Sequence, residues 1–286
     1  MKKNGSRGRW GRILRWLIPL IISLGAIWLL LRDIEFSQFT ENLTKIGLRT
    51  YLLASVAFFV SYFFRVFCWY ILLQRKISYK DAFFTMGAGY LLNNLFPFRL
   101  GEIGRAVLLD NPEGPSALEV LSSVLVERIL DVFLAAVFLL TMLPRILNAA
   151  YDQTLILIAF LLTLTGMAVL FLAVRFQSRI IGWLKNWGQR TEFVKNWVTP
   201  KLTQVLEGLS ILNHPGAFLL AFVSLAVSWF LAFGENLVVF GALYPNPPFW
   251  WMVFVLSAGA FGAALPSAPA GLGVFEGVMV AAFVLL

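Results

Sequence analysis

Cysteine and histidine are nearly missing from this chain, which holds one of each, Cys68 and His214, in 286 residues. A single cysteine excludes an intrachain disulfide framework and a cysteine-based zinc site. Cys68 sits in the apolar run FRVFCWY, where a small buried hydrophobe is its expected role. His214 is the one candidate for a histidine-based dyad, and it precedes Pro215 at an expected helix start, where an interfacial role fits better. Charge is scarce as well: 13% of the residues are charged and 59% are hydrophobic, so the charged share is about half the usual one. No G-x-x-x-x-G-K-[ST] phosphate loop and no low-complexity tract occur. With a mean hydropathy of +0.80, water is the wrong solvent for this chain.

The formal charge of +8 would point to nucleic acid in a soluble protein. Here the basic residues interrupt apolar runs, as they do in cytoplasmic loops of membrane proteins, and no nucleic-acid partner is expected. A helix needs ~20 apolar residues to cross a ~30 Å hydrocarbon core. Residues 13–31, 51–73, 117–143, 154–174 and 217–243 meet or approach that standard. The first run follows a basic stretch like a signal-peptide n-region, but it is long enough to be an uncleaved first helix. Two more apolar regions, 83–109 and 249–286, are each broken in the middle, at LFPFRLGE and LPSAPAGLGVFEG. Pro97 and Gly101 break the first, and Pro266, Pro269, Gly271 and Gly273 the second, leaving halves that suit a re-entrant helix better than a full span.

Charge counting tests this division. Lys2, Lys3, Arg7, Arg9, Arg12 and Arg15 assign the N-terminus to the cytoplasm. The basic loop at Arg75, Lys76 and Lys80 and the basic segment 175–212 share that side only if 83–109 enters and leaves by the same face. By the same parity 249–286 enters from the other face, a pattern resembling the inverted repeats of transporters. The expected fold is all-α: a polytopic membrane bundle of about 5 to 6 full spans plus two broken or re-entrant hairpins inserted from opposite faces. It forms a single transmembrane domain over residues 1–286, with a basic cytoplasmic N-terminus at 1–12 and an interfacial or solvated segment at 175–212. Because the sequence stops inside an apolar run, the second hairpin is expected to be incomplete at Leu286.

Ionisable groups at membrane depth cost at least ~2.5 to 3.5 kcal/mol each on insertion scales, so each needs a reason. In the third span Glu127, Arg128 and Asp131 form the run ERILD, whose carboxylates share a face and whose arginine reaches Asp131 at i, i+3. They imply a polar cavity, or an ion cluster bridging to Arg99 or Arg105. In NNLFPFRLGEIGR, Asn93, Asn94, Arg99, Glu102 and Arg105 surround the first break, and the two arginines suit bidentate capture of a phosphate. A half-helix starting near Gly101 aims its positive end at the same anion. Arg65, with Trp69 one turn later, either has a functional role or snorkels to the headgroups. Glu235 and Glu276 each suit a cationic substrate group, a proton, or a structural role such as a helix cap.

In order along the chain, these residues resemble the flippase-like membrane domain of bacterial lysylphosphatidylglycerol synthases. The family pattern appears as Asn94, Pro97, Arg99, Gly101, Glu102 and Arg105, then as Glu127, Arg128 and Asp131, then as Pro269, Ala270, Gly271, Leu272, Gly273 and Glu276. Ala270 stands where the family carries glycine. The resemblance covers nearly the whole chain and implies translocation of an aminoacylated or glycosylated phospholipid between leaflets of the bacterial inner membrane. The soluble aminoacyl-transferase domain of the fused synthases is not in this sequence, so lipid synthesis is not expected.

The leading expectation is therefore a lipid flippase or lipid-binding transporter. Arg99 and Arg105 would hold phosphate, while Asn94, Glu102, Glu127, Arg128, Asp131 and Glu276 complete the substrate site, with Arg65 and Glu235 as further candidates. Membrane lipid is the expected ligand, without metal or cofactor, and a membrane-protein partner or homo-oligomer is compatible with the sequence. Two other readings remain open: a membrane-embedded transferase acting on a lipid-linked sugar or phosphate, and a structural partner of a lipid-modifying enzyme.

Overall fold

The computed structural model describes residues 36–96, 99–110, 114–147, 213–264 and 271–286, with isolated positions elsewhere. Eight α-helices make up its elements among these residues: α1 (Phe36–Lys45), α2 (Leu48–Leu72), α3 (Tyr79–Leu95), α4 (Leu100–Leu109), α5 (Ala117–Leu147), α6 (Pro215–Gly241), α7 (Phe249–Ala264) and α8 (Val274–Val284). The N-terminus 1–12 and nearly all of the expected spans 13–31 and 154–174 and of the segment 175–212 fall outside the described residues, as do Pro97, Pro266 and Pro269.

Helix α2 runs 25 residues without glycine or proline, so nothing in its interior interrupts the backbone ladder. It ends where Gln74 and Arg75 turn left-handed, at φ 56° and 58°. The Arg75 N–H then returns to the Tyr70 carbonyl at 3.1 Å and satisfies one of the helix's last acceptors. Helix α6 starts as the sequence predicts, with Pro215 just inside the first turn after His214. Among the described residues α2 and α6 are the two helices long and apolar enough to cross a membrane. Leu48, Leu52, Val56, Phe59 and Phe63 of α2 lie three or four residues apart and are all exposed. A greasy stripe of this kind is at home in hydrocarbon and a liability in water.

Helices α2 and α6 make the most extensive contact in the fold. Cys68, Ile71 and Leu72 share a buried core with Ala221, Leu225, Trp229 and Phe233, so Cys68 has the packing role expected of it. The Ser61 hydroxyl donates to the Ser228 carbonyl at 2.9 Å, a polar tie between the two helices. Helix α5, at 31 residues, is long enough to span and carries the ERILD run in its interior.

The two interrupted regions each fold as an antiparallel helical hairpin. In the first, α3 lies against α4 so closely that Gly89 faces Gly101 and Arg105, and the Asn93 side chain meets Gly101. Helix α3 begins four residues before the expected start, because the Ser78 hydroxyl caps it by accepting from the Asp81 N–H at 3.1 Å. In the second, Gly259 of α7 packs on Phe275 and Met279 of α8, and Gly262 on Val278. At ten and eleven residues, α4 and α8 are each about 15 Å long, half of a hydrocarbon core. Gly271 and Gly273 sit at φ 75° and 84° before α8, a conformation that side chains resist.

Candidate functional site

Three helices bring charge to one place. Glu127, on α5, has no exposed surface, and its two carboxylate oxygens are held from different directions. One accepts from the Arg105 guanidinium of α4 at 2.9 Å. The other accepts from Arg128 at 2.8 Å and lies 3.5 Å from Arg65 of α2. Asp131, one turn further along α5, accepts from Arg65 at 2.7 Å and lies 3.3 Å from Arg128. Its other oxygen takes a hydrogen bond from the indole N–H of Trp229 on α6 at 3.0 Å. Glu102 extends the chain outward, 3.6 Å from Arg128 and 3.9 Å from Arg99.

Four guanidiniums and three carboxylates therefore form one connected network with a single excess positive charge. An isolated ion would cost several kcal/mol in this setting, and mutual pairing offsets most of that cost. Arg105, 1% exposed, also lies over the Trp69 ring at 5.0 Å, and Trp69 in turn donates to Ser123 at 3.1 Å. This sandwich fixes Arg105 as an internal strut.

Beside the network lies a cavity of about 320 Å³. Its polar wall is Arg65, Arg99, Arg128 and Asp131, with Ser61, Ser228 and Glu235 adding polar groups from α2 and α6. Phe58, Leu256, Phe261 and Phe275 supply apolar wall from α2, α7 and α8. Arg99 is the most accessible guanidinium of the network, with 40% of its side chain exposed. It caps α4 in a left-handed conformation, φ 53°, and donates to the Ala263 carbonyl at the end of α7. Terminal carbonyls of a helix carry partial negative charge, so a guanidinium is a fitting partner there. The tips of the two hairpins are joined by this bond.

The sequence-predicted residues thus separate into layers. Arg65, Arg99, Arg128, Asp131 and Glu235 line the cavity, whereas Arg105 and Glu127 are buried within the network, so Arg99 and Arg105 do not converge on a shared opening. Glu102 links Arg99 to Arg128. Asn94 is exposed, and its neighbour Asn93 makes the structural contact, accepting from the Gly101 N–H at 2.8 Å. Glu276 is not part of the cluster: it accepts from the Gly273 N–H at 2.7 Å and caps α8, the structural one of the roles open to it from sequence. Trp229, Ser61 and Ser228 were not singled out from sequence. The hint was an indole N–H in an apolar span, which needs an acceptor wherever it is buried. Trp229→Phe removes that donor from a charged acceptor, and a loss of about 2 kcal/mol is expected, read as a lower unfolding midpoint in detergent.

Long helices with greasy outer stripes around a buried ionic network define a multi-pass integral membrane protein. The chain belongs to the lysylphosphatidylglycerol synthase TM region family, which matches residues 16–286, and it is a flippase-like membrane protein of that family. No curated protein and no solved structure matches it.

Proposed function

We propose that this protein binds a phospholipid headgroup in the cavity between its hairpins and carries the lipid from one leaflet to the other. The observation that carries the reading is the net positive, arginine-lined wall of a cavity that is otherwise mostly apolar. Arg65, Arg99 and Arg128 offer forked donors to phosphate oxygens, and guanidinium suits that task better than a point charge. Acyl chains would remain in the bilayer beside the apolar wall while the headgroup passes. The hairpins α3–α4 and α7–α8 would enter from opposite faces, the arrangement that the half-length of α4 and α8 and the charge parity of the loops support. On this reading the N-terminus faces the cytoplasm and the protein resides in the inner membrane.

Chemistry on the lipid is the weaker reading. Every carboxylate of the network already holds a guanidinium, so none of the three is free to act as a base. Labelled lipid-linked donors would reveal a transferase by a new covalent product.

The transport reading is tested in vesicles reconstituted with the full chain and a fluorescent phospholipid. Arg99→Ala is expected to slow leaflet exchange about tenfold, equivalent to ~1.4 kcal/mol, with Arg99→Lys intermediate. Equal rates for wild type and Arg99→Ala would remove Arg99 from the pathway.

A further inference from the structure

The cavity holds one acidic side chain that the ionic network does not use. Glu235 of α6 lines the same space as Arg65, Arg99 and Arg128, yet it forms no ion pair or hydrogen bond among the described residues. It follows Trp229 by six residues, and Trp229 holds Asp131. At ~1.5 Å per residue, Glu235 is about 9 Å further along α6 than that anchor. The cavity therefore has two electrically distinct ends: the network with one excess positive charge, and one carboxylate.

Three kinds of headgroup meet this arrangement differently. A headgroup with phosphate alone satisfies the arginines and leaves the Glu235 carboxyl without a partner beside apolar wall. A lysine-bearing headgroup brings two ammonium groups to one carboxylate, so one cation is left without a partner. A headgroup with one phosphodiester and one primary ammonium leaves neither end unpaired, because its charges match the two ends one for one. Unpaired charge is costly in a desolvated site, so selectivity follows from the mismatch. The volume, about 320 Å³, is at the low end for ligand sites and fits a headgroup with its tails left outside.

We infer that Glu235 is the specificity-determining residue of the cavity and selects zwitterionic phospholipids that carry one phosphodiester and one primary ammonium. The inference rests on the lipid-binding reading above and departs from it only in excluding the lysine-bearing headgroup, whose second ammonium finds no partner.

The test uses the purified full chain and three short-chain lipids: phosphatidylethanolamine, phosphatidylglycerol and lysyl-phosphatidylglycerol. Binding is followed through tryptophan fluorescence, since Trp229 lines the cavity. Wild type is expected to bind phosphatidylethanolamine ~tenfold more tightly than either other lipid. Glu235→Gln, nearly isosteric, should erase that margin by weakening phosphatidylethanolamine and strengthening phosphatidylglycerol, while Glu235→Asp keeps part of it. An unchanged ratio in Glu235→Gln, or a wild-type preference for lysyl-phosphatidylglycerol, overturns the inference. If the ratios hold but wild type moves none of these lipids across vesicles, transport is rejected and the selectivity assignment stands. Binding of none of the three rejects both.

Discussion

Glu127→Gln is expected to cost about 3 to 5 kcal/mol, the largest effect of any single charge removal among the described residues. The substitution keeps the shape of the side chain and takes away the charge that Arg105 and Arg128 contact directly and Arg65 approaches at 3.5 Å. Arg105 has no second carboxylate partner among the described residues, and its Nε already lacks a hydrogen bond. A buried guanidinium left without a counter-charge, beside a neutral amide and the Trp69 face, is the penalty, more than the lost attraction. The unfolding midpoint in detergent should therefore fall steeply, and yield from the membrane with it. Adding Arg105→Met to Glu127→Gln removes the stranded charge and should recover part of the loss, a non-additivity that a merely local packing defect would not show. A Glu127→Gln protein within about 1 kcal/mol of wild type would mean that the network is not a stabilising unit.

Gly101→Ala is expected to break the first hairpin at a cost of about 3 kcal/mol, the upper end for overpacking. A methyl group built at Gly101 would collide with the Gly89 carbonyl oxygen and would stand 2.6 Å from the Asn93 side-chain oxygen. The carbonyl belongs to helix backbone and cannot step aside as a flexible side chain does. Asn93 cannot retreat without releasing the Gly101 N–H, one of the unpaired donors at the start of α4. Separation of α3 from α4 would carry Arg105 away from Glu127, so leaflet exchange should fail together with stability. Gly277→Ala is the matching control: an added methyl there meets nothing within 4 Å, and replacing a helical glycine should be neutral or stabilising by up to ~1 kcal/mol. Equal midpoints for Gly101→Ala and Gly277→Ala would contradict the close approach of the two helices.

How much of this was legible beforehand depends on the range of the interaction. The cluster itself was readable because ERILD sets three ionisable groups inside an apolar helix, where each must find a partner. The Arg128 contact with Asp131 follows from helical spacing alone, and the bridge from Arg105 was one of the alternatives that spacing left open. Which arginine would reach the cavity was not readable. Arg99 and Arg105 are six residues apart in sequence, but the left-handed turn at Arg99 directs one outward while the Trp69 ring holds the other inside. The choice between Asn93 and Asn94 turned on phase. Asn93 lies four residues from Gly89 and so shares the face that meets α4. Trp229 lies 98 residues from Asp131, a separation at which local patterns say nothing. The helix α1 lies between the first two expected spans, where ten mixed residues carry no span-length signal.

The bond from Arg99 to the Ala263 carbonyl gives one guanidinium two claimants. If capture of an anion draws on the Nη2 donor that the Ala263 carbonyl now holds, that side chain lets go of the α7 terminus, and ligand capture and release of the second hairpin become linked equilibria. Whatever tightens the grip on the ligand loosens the seam between the hairpin tips by the same free energy, and a seam held shut would weaken the grip in equal measure.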